Sequence, residues 1–237
     1  MANIGSKGRF EVFLDFTEDT LNADMVTTSV DAAGTAAIVA DAVGGQVALT
    51  TDTGNNEMAE IAISQPVRAQ DGPVFFEAKL QVNGIATLAF TVGLTDDPAE
   101  DSNTLPVELS TATFTSNAST FAGVVFDTAA TTDNFYFFAV DDDADTSLAI
   151  ADLNTGLAPE AATDFIVSIE LHDRGSSDGM ADAVITVKKA NGTFKQKRIE
   201  RAVDRDCKLY AHIGLENRTT AARVLSVDYM QLCGSRA

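Results

Sequence analysis

The chain has 237 residues, 45% hydrophobic and 22% charged, and a formal net charge of −19 at pH 7 from 35 acidic and 16 basic residues. That hydrophobic share excludes intrinsic disorder and supplies a sizeable core, while a field of this sign opposes binding to nucleic-acid backbones and anionic membranes. No stretch of about 18 apolar residues is present to span a bilayer, and MANIGSKGRFEV lacks the apolar run of about 7–15 residues that a secretory signal requires.

Residues 1–8 are small and polar and read as a flexible N-terminal arm. The remainder, 9–237, reads as one domain, because no Pro/Ser/Gly-rich linker interrupts it. Arg9 to Phe16 alternates, with Phe10, Val12, Leu14 and Phe16 on one face of a half-buried strand. Short β-prone pieces follow at Thr35 to Asp41, Gln46 to Thr51 and Met58 to Ser64, separated by Gly44-Gly45 and Gly54-Asn55. Val74 to Val82 and Thr87 to Leu94 flank Asn83-Gly84, and Asn-Gly between β-patterned runs predicts a hairpin because both residues accept positive φ. Thr95 to Thr120 is loop-like, with an edge strand at most around Pro106, since proline cannot donate to a sheet ladder.

The most aromatic part of the chain comes next. Phe121 to Thr128 and Asn134 to Asp143 read as two buried strands joined by a short polar loop, a hairpin in the middle of a sheet. A long polar excursion leads to Asp164 to His172, another alternating strand. Asp182 to Lys188 and Thr193 to Glu200 are joined through Asn191-Gly192 as a second hairpin, and Lys208 to Glu216 and Arg223 to Leu232 finish the strands. About a dozen short strands with turn signals between them, and no helix of ten residues, predict an all-β antiparallel sandwich or barrel.

Chemical motifs are sparse. His172 and His212 both fall in strand patterns, no serine sits in a nucleophile-elbow frame, and no strand carries the i, i+2, i+4 carboxylates of a sandwich glycosidase. No catalysis is expected. Asp141, Asp143 and Asp145 resemble the start of a Ca²⁺ loop, but Thr146 stands where its glycine belongs and Asp152 where its glutamate belongs. Three Asn-X-Ser/Thr triplets, at Asn117, Asn191 and Asn217, fit the glycosylation pattern and read as coincidence without a signal peptide. Cys207 and Cys233 pair if their strands are neighbours; a core of this size needs no such staple, which favours buried free thiols. The aromatics, with no Trp and three Tyr, look like core and offer no evident stacking platform for a sugar.

Charge is unevenly spread. Leu80 to Asp173 holds 16 acidic residues and no Lys or Arg, whereas Arg174 to Ala237 holds 12 basic and 7 acidic ones. An acidic and a more basic face suit docking against a partner or a second copy, and Lys195, Lys197, Arg198 and Arg201 are the candidate partner-binding residues.

VFFEAKLQV, TVGLTDDPAEDS, FAGVVFDTAATTDNFYFFAVDDD, FIVSIELHDRG and LYAHIGLENRTTAARVLSVDYMQL, in that order, resemble virion structural proteins of tailed bacteriophages with a concanavalin A-like jelly-roll sandwich. Capsid decoration or cement proteins and head fibres are the nearest types. The resemblance runs from about Phe10 to Leu232 and is one of strand order, not of a diagnostic motif. It implies two antiparallel sheets, a place on the capsid surface, the major capsid protein or another virion protein as partner, homo-oligomers and no resident cofactor. The rival expectation is a carbohydrate-binding or receptor-binding fibre head that uses the Asp141 to Asp145 loop, with Ca²⁺ as its metal.

Overall fold

The computed structural model describes residues 8–31, 33–99, 104–146 and 148–235. All of the expected N-terminal arm except Gly8 lies outside the described residues. The first half of the chain forms β1 (Arg9–Leu14), β2 (Val26–Val30), β3 (Thr35–Ile38), β4 (Val47–Thr50), β5 (Met58–Ile63), β6 (Val74–Val82), β7 (Leu88–Thr95), β8 (Val107–Ser110) and β9 (Thr113–Ser116). The second half forms β10 (Phe121–Asp127), β11 (Tyr136–Asp141), β12 (Ala144–Asp145), one helical turn α1 (Ile150–Leu153), β13 (Asp164–Asp173), β14 (Met180–Lys189), β15 (Phe194–Asp204), β16 (Tyr210–Asn217) and β17 (Val224–Ser235).

Two antiparallel sheets make the sandwich. One has eight strands in the order β15-β14-β13-β6-β17-β4-β3, with β1 beside the C-terminal half of β17 on the same flank as β4; the other has seven, β12-β11-β10-β7-β16-β5-β2. β8 and β9 pair only with each other. The sheets meet over a continuous apolar core, and its centre is aromatic: Phe90 stacks on Phe126 at 5.0 Å and on Phe165 at 5.7 Å, while Phe135 lies 5.1 Å from Phe165. Phe165 belongs to the larger sheet and the other three to the smaller one or its loops, so these rings lock the layers together.

The hairpin of β10 and β11 forms as the aromatic pattern predicts, and β14 and β15 are joined through Gly192 at φ +85. The Asn83-Gly84 hairpin does not form. β6 lies between β13 and β17 while β7 lies between β10 and β16, so this turn carries the chain from one sheet to the other. β2 was not evident from VTTSV, whose apolar residues stand only at its ends. Cys207 and Cys233 are both free and half-buried, and burial pushes both thiols up.

Candidate functional site

The outer face of the seven-stranded sheet is where the fold concentrates polar groups out of water. Cross-strand register places Glu60, Gly214 and Thr91 side by side on β5, β16 and β7, with His212 and Glu216 one step to either side of Gly214. His212 Nε2 and Glu60 Oε2 are 2.8 Å apart, and both side chains are fully buried. Around them, Glu60 Oε1, His212 Nδ1, Thr91 Oγ1 and Glu216 Oε2 have no hydrogen-bond partner among the described residues. Orphaned polar atoms of this kind are expensive, and all four lie on one patch of one sheet.

The patch is roofed by the Thr104 to Ser119 segment. Leu105 lies over Gly214, where a Cβ would meet its Cδ2 at 2.8 Å, and packs with Met58 and Ala89. Phe121 lies across Gly93 and Gly123, so side chains at either glycine would collide with its ring. Phe114 of β9 stacks on Phe138 with centroids 4.1 Å apart. The glycines leave a trough in the sheet that Leu105 of the roof fills at Gly214 and the Phe121 ring of β10 fills at Gly93 and Gly123.

Arg218 fastens roof to floor. Its guanidinium reaches Asp127 Oδ2 at 2.5 Å, Glu108 Oε1 of β8 at 2.9 Å, and Glu216 Oε1. Asp127 also accepts the Leu109 N–H at 3.3 Å. One guanidinium cannot neutralise three carboxylates, and burial pushes Glu216 up to about 8 despite the attraction of Arg218, so that it carries a proton at neutral pH. Every carboxylate here is either tied to Arg218 or enclosed with His212, which leaves no free base or nucleophile open to a substrate. Asn217 belongs to the same framework: its amide donates to the Asp52 and Gly54 carbonyls at 2.7 Å and accepts the Glu57 N–H at 2.8 Å. Fully buried and fully bonded, Asn217 is no glycan acceptor.

The open polar feature lies elsewhere, where β11 and β12 face β15. Asp141, Asp145, Thr146, Met180, Glu200 and Arg201 border a cleft of about 320 Å³. Of the three aspartates singled out as a calcium loop, Asp143 does not line it. Asp142 (φ 47) and Asp143 (φ 62) are the two central residues of a tight β11–β12 turn, a conformation that Asp tolerates better than most residues. Register sends Asp141 and Asp145 to opposite faces of that hairpin. Asp145 accepts the Ser116 hydroxyl at 2.6 Å, and Asp141, raised by burial, accepts the Asp204 N–H at 2.5 Å. The described residues contain no group of three His, Cys, Asp or Glu side chains placed to hold a metal, so the three aspartates do not converge on one ion.

The basic residues of β15 sit on the exposed outer strand of the larger sheet. Arg198 pairs with Asp182 and Arg201 with Asp178. Burial raises the Asp182 carboxyl, but Arg198, the Arg201 N–H and Arg174 outweigh it and hold the group at about 2. Lys197 donates to the Asp152 carbonyl at 2.7 Å. Lys195 alone of the four points to solvent without a partner among the described residues.

No family model matches the chain, and no curated protein matches it. Solved structures do. A protein of unknown function from Shewanella oneidensis MR-1 superposes with a TM-score of 0.66 at 12% identity, over 97% of this chain and 88% of that one. Peanut lectin gives 0.60 at 12% identity, over 95% and 97%. The CBM2 module of the evolved Dit of Lactobacillus casei BL23 phage J-1 gives 0.57 at 11% identity, over 98% of each chain. At such identities the likeness is one of fold: the chain is a lectin-like, concanavalin A-type jelly-roll sandwich.

Proposed function

We propose that this protein is a carbohydrate-binding module carried by a phage particle, acting by recognition without catalysis. The observation that carries this reading is the match, end to end in both chains, to a phage Dit carbohydrate-binding module, alongside legume lectins over nearly as much of their length. The cleft of Asp141, Glu200 and Arg201 is the proposed sugar site, since it joins carboxylates, a guanidinium and the apolar surface of Met180 in an open concavity. Glu200 is 74% exposed and meets Arg174 Nη1 only at 4.0 Å, which leaves its carboxylate able to accept hydroxyl hydrogen bonds. A glycan array probed with the whole chain should show retention of a restricted sugar class, and Glu200→Ala with Asp141→Asn should weaken it at least tenfold. Retention unchanged in both variants would move the site; no retention of any glycan would remove the reading.

Capsid decoration is the second reading, favoured by the exposed outer strand β15 with Phe194 and Lys195 at its start. Stoichiometric co-sedimentation with capsids, unaffected by the cleft variants, would place the protein there.

A further inference from the structure

We propose that the chain associates head to tail with further copies of itself, the β14–β15 hairpin tip of one copy entering a groove at the β1–β3 edge of the next. The tip is unusual for this protein. Phe194 is 60% exposed, and residues 188–197 contain Lys188, Lys189, Lys195 and Lys197 but no acidic residue. Lys189 pairs with Glu160 and Lys197 is used by the Asp152 carbonyl, whereas Lys188 and Lys195 have no ion-pair partner among the described residues. A large apolar ring with Lys188 opposite it in register and Lys195 next to it in the strand is therefore presented to solvent on a chain whose net charge is −19.

The complementary surface is at the other edge of the same sheet, where β1 and β3 lie opposite β15 in the strand order. Leu14, Leu21, Val26 and Ile38 line a groove of about 120 Å³, with Phe13 (52% exposed) and Met25 (37% exposed) at its rim. That is comparable to the ~150 Å³ apolar cavities that accept benzene. The polar part of its lining includes Asp15 and Glu18. Between Phe10 and Val67 the sequence has ten acidic residues and no Lys or Arg.

Charge fixes which surfaces meet. Tip against tip sets lysines against lysines and groove against groove sets carboxylates against carboxylates, so each surface rejects itself and accepts the other. Because the two lie on opposite edges, one contact leaves a free tip at one end and a free groove at the other. Growth continues until a ring closes or a line extends.

Sedimentation velocity of the whole chain tests this. The average mass should rise with concentration and fall back when salt screens the lysines and carboxylates. Phe194→Ser alone and Glu18→Lys with Met25→Lys each replace exposed residues, so folding, followed by circular dichroism, should be unchanged while association is lost. Mixed together, the two variants should form a dimer and stop there, because only one intact tip can meet one intact groove. A wild-type chain that stays monomeric to about 1 mM, oligomers that persist in either variant, or a mixture that yields no dimer would each overturn the proposal.

Discussion

The outer face of the eight-stranded sheet keeps its polar residues in water, whereas that of the seven-stranded sheet is roofed by β8 and β9, and similar side chains do different work on the two. Each face has a His–Glu pair. His172 and Glu170 approach to 3.2 Å with each side chain about half exposed, while His212 and Glu60 approach to 2.8 Å with both at 0%. Water serves every unused lone pair of the first and none of the second. The open face also carries Lys79 between Asp228 at 2.6 Å and Asp164 at 3.0 Å, and Tyr229, which donates to Glu77 at 2.7 Å. Its groups can be rearranged cheaply; those under the roof are committed to one geometry.

Arg218→Met should do the greatest damage. It leaves Asp127 buried without its countercharge, takes from Glu216 its hydrogen-bond donor and unfastens Glu108 of the roof, a situation that costs about 4 kcal/mol in comparable buried pairs. Urea unfolding should show it, and a loss below about 1 kcal/mol would mean that the roof is held by packing alone. The second expectation concerns pH. Glu216 has its folded pKa raised from 4.5 to about 8, so between those values the native state holds one proton more than the unfolded chain. Stability from this group is full below pH 4.5 and is lost as pH rises through about 8. The wild-type urea midpoint should therefore drop from pH 5 to pH 8.5 more than that of Glu216→Gln; equal drops would acquit Glu216. The smallest effect belongs to the open face, where Lys79→Ala should cost under about 1 kcal/mol and less again in high salt. A cost matching that of Arg218→Met would abolish the contrast between the faces.

Strand content was legible because alternation and aromatic runs are local properties. Phe121–Asp127 with Tyr136–Asp141 and Met180–Lys189 with Phe194–Asp204 are hairpins whose turns lie within a few residues. Asn83-Gly84 shows the limit. Turn chemistry says that the chain can reverse there, but which sheet receives the next strand depends on long-range packing, and β7 is taken by the other sheet. The buried cluster was illegible for a related reason. Arg218 stands 91 residues from Asp127 and 110 from Glu108, and nothing short of strand register brings them together. His212 was visible as a strand residue; that its neighbour would be Glu60, 152 residues away, was not. In the Asp141 to Asp145 run, Asp143, which reads as a ligand from its spacing, is with Asp142 a central residue of the tight β11–β12 turn.

β16 and β17, the last strands in the order of the chain, occupy interior positions: β16 separates β7 from β5, and β17 takes β6 on one flank while β4 and β1 share the other end to end. A ribosome releases them after everything they join. Until Asn217 has emerged β5 and β7 each lack a neighbour, and until about residue 235 has emerged β4 and β6 each lack one and β1 has none at all. The nascent chain thus waits with open, apolar strand edges, and its commitment to the native state comes late and all at once. For as long as synthesis lasts, those unpaired edges are open to strands of other copies of the chain.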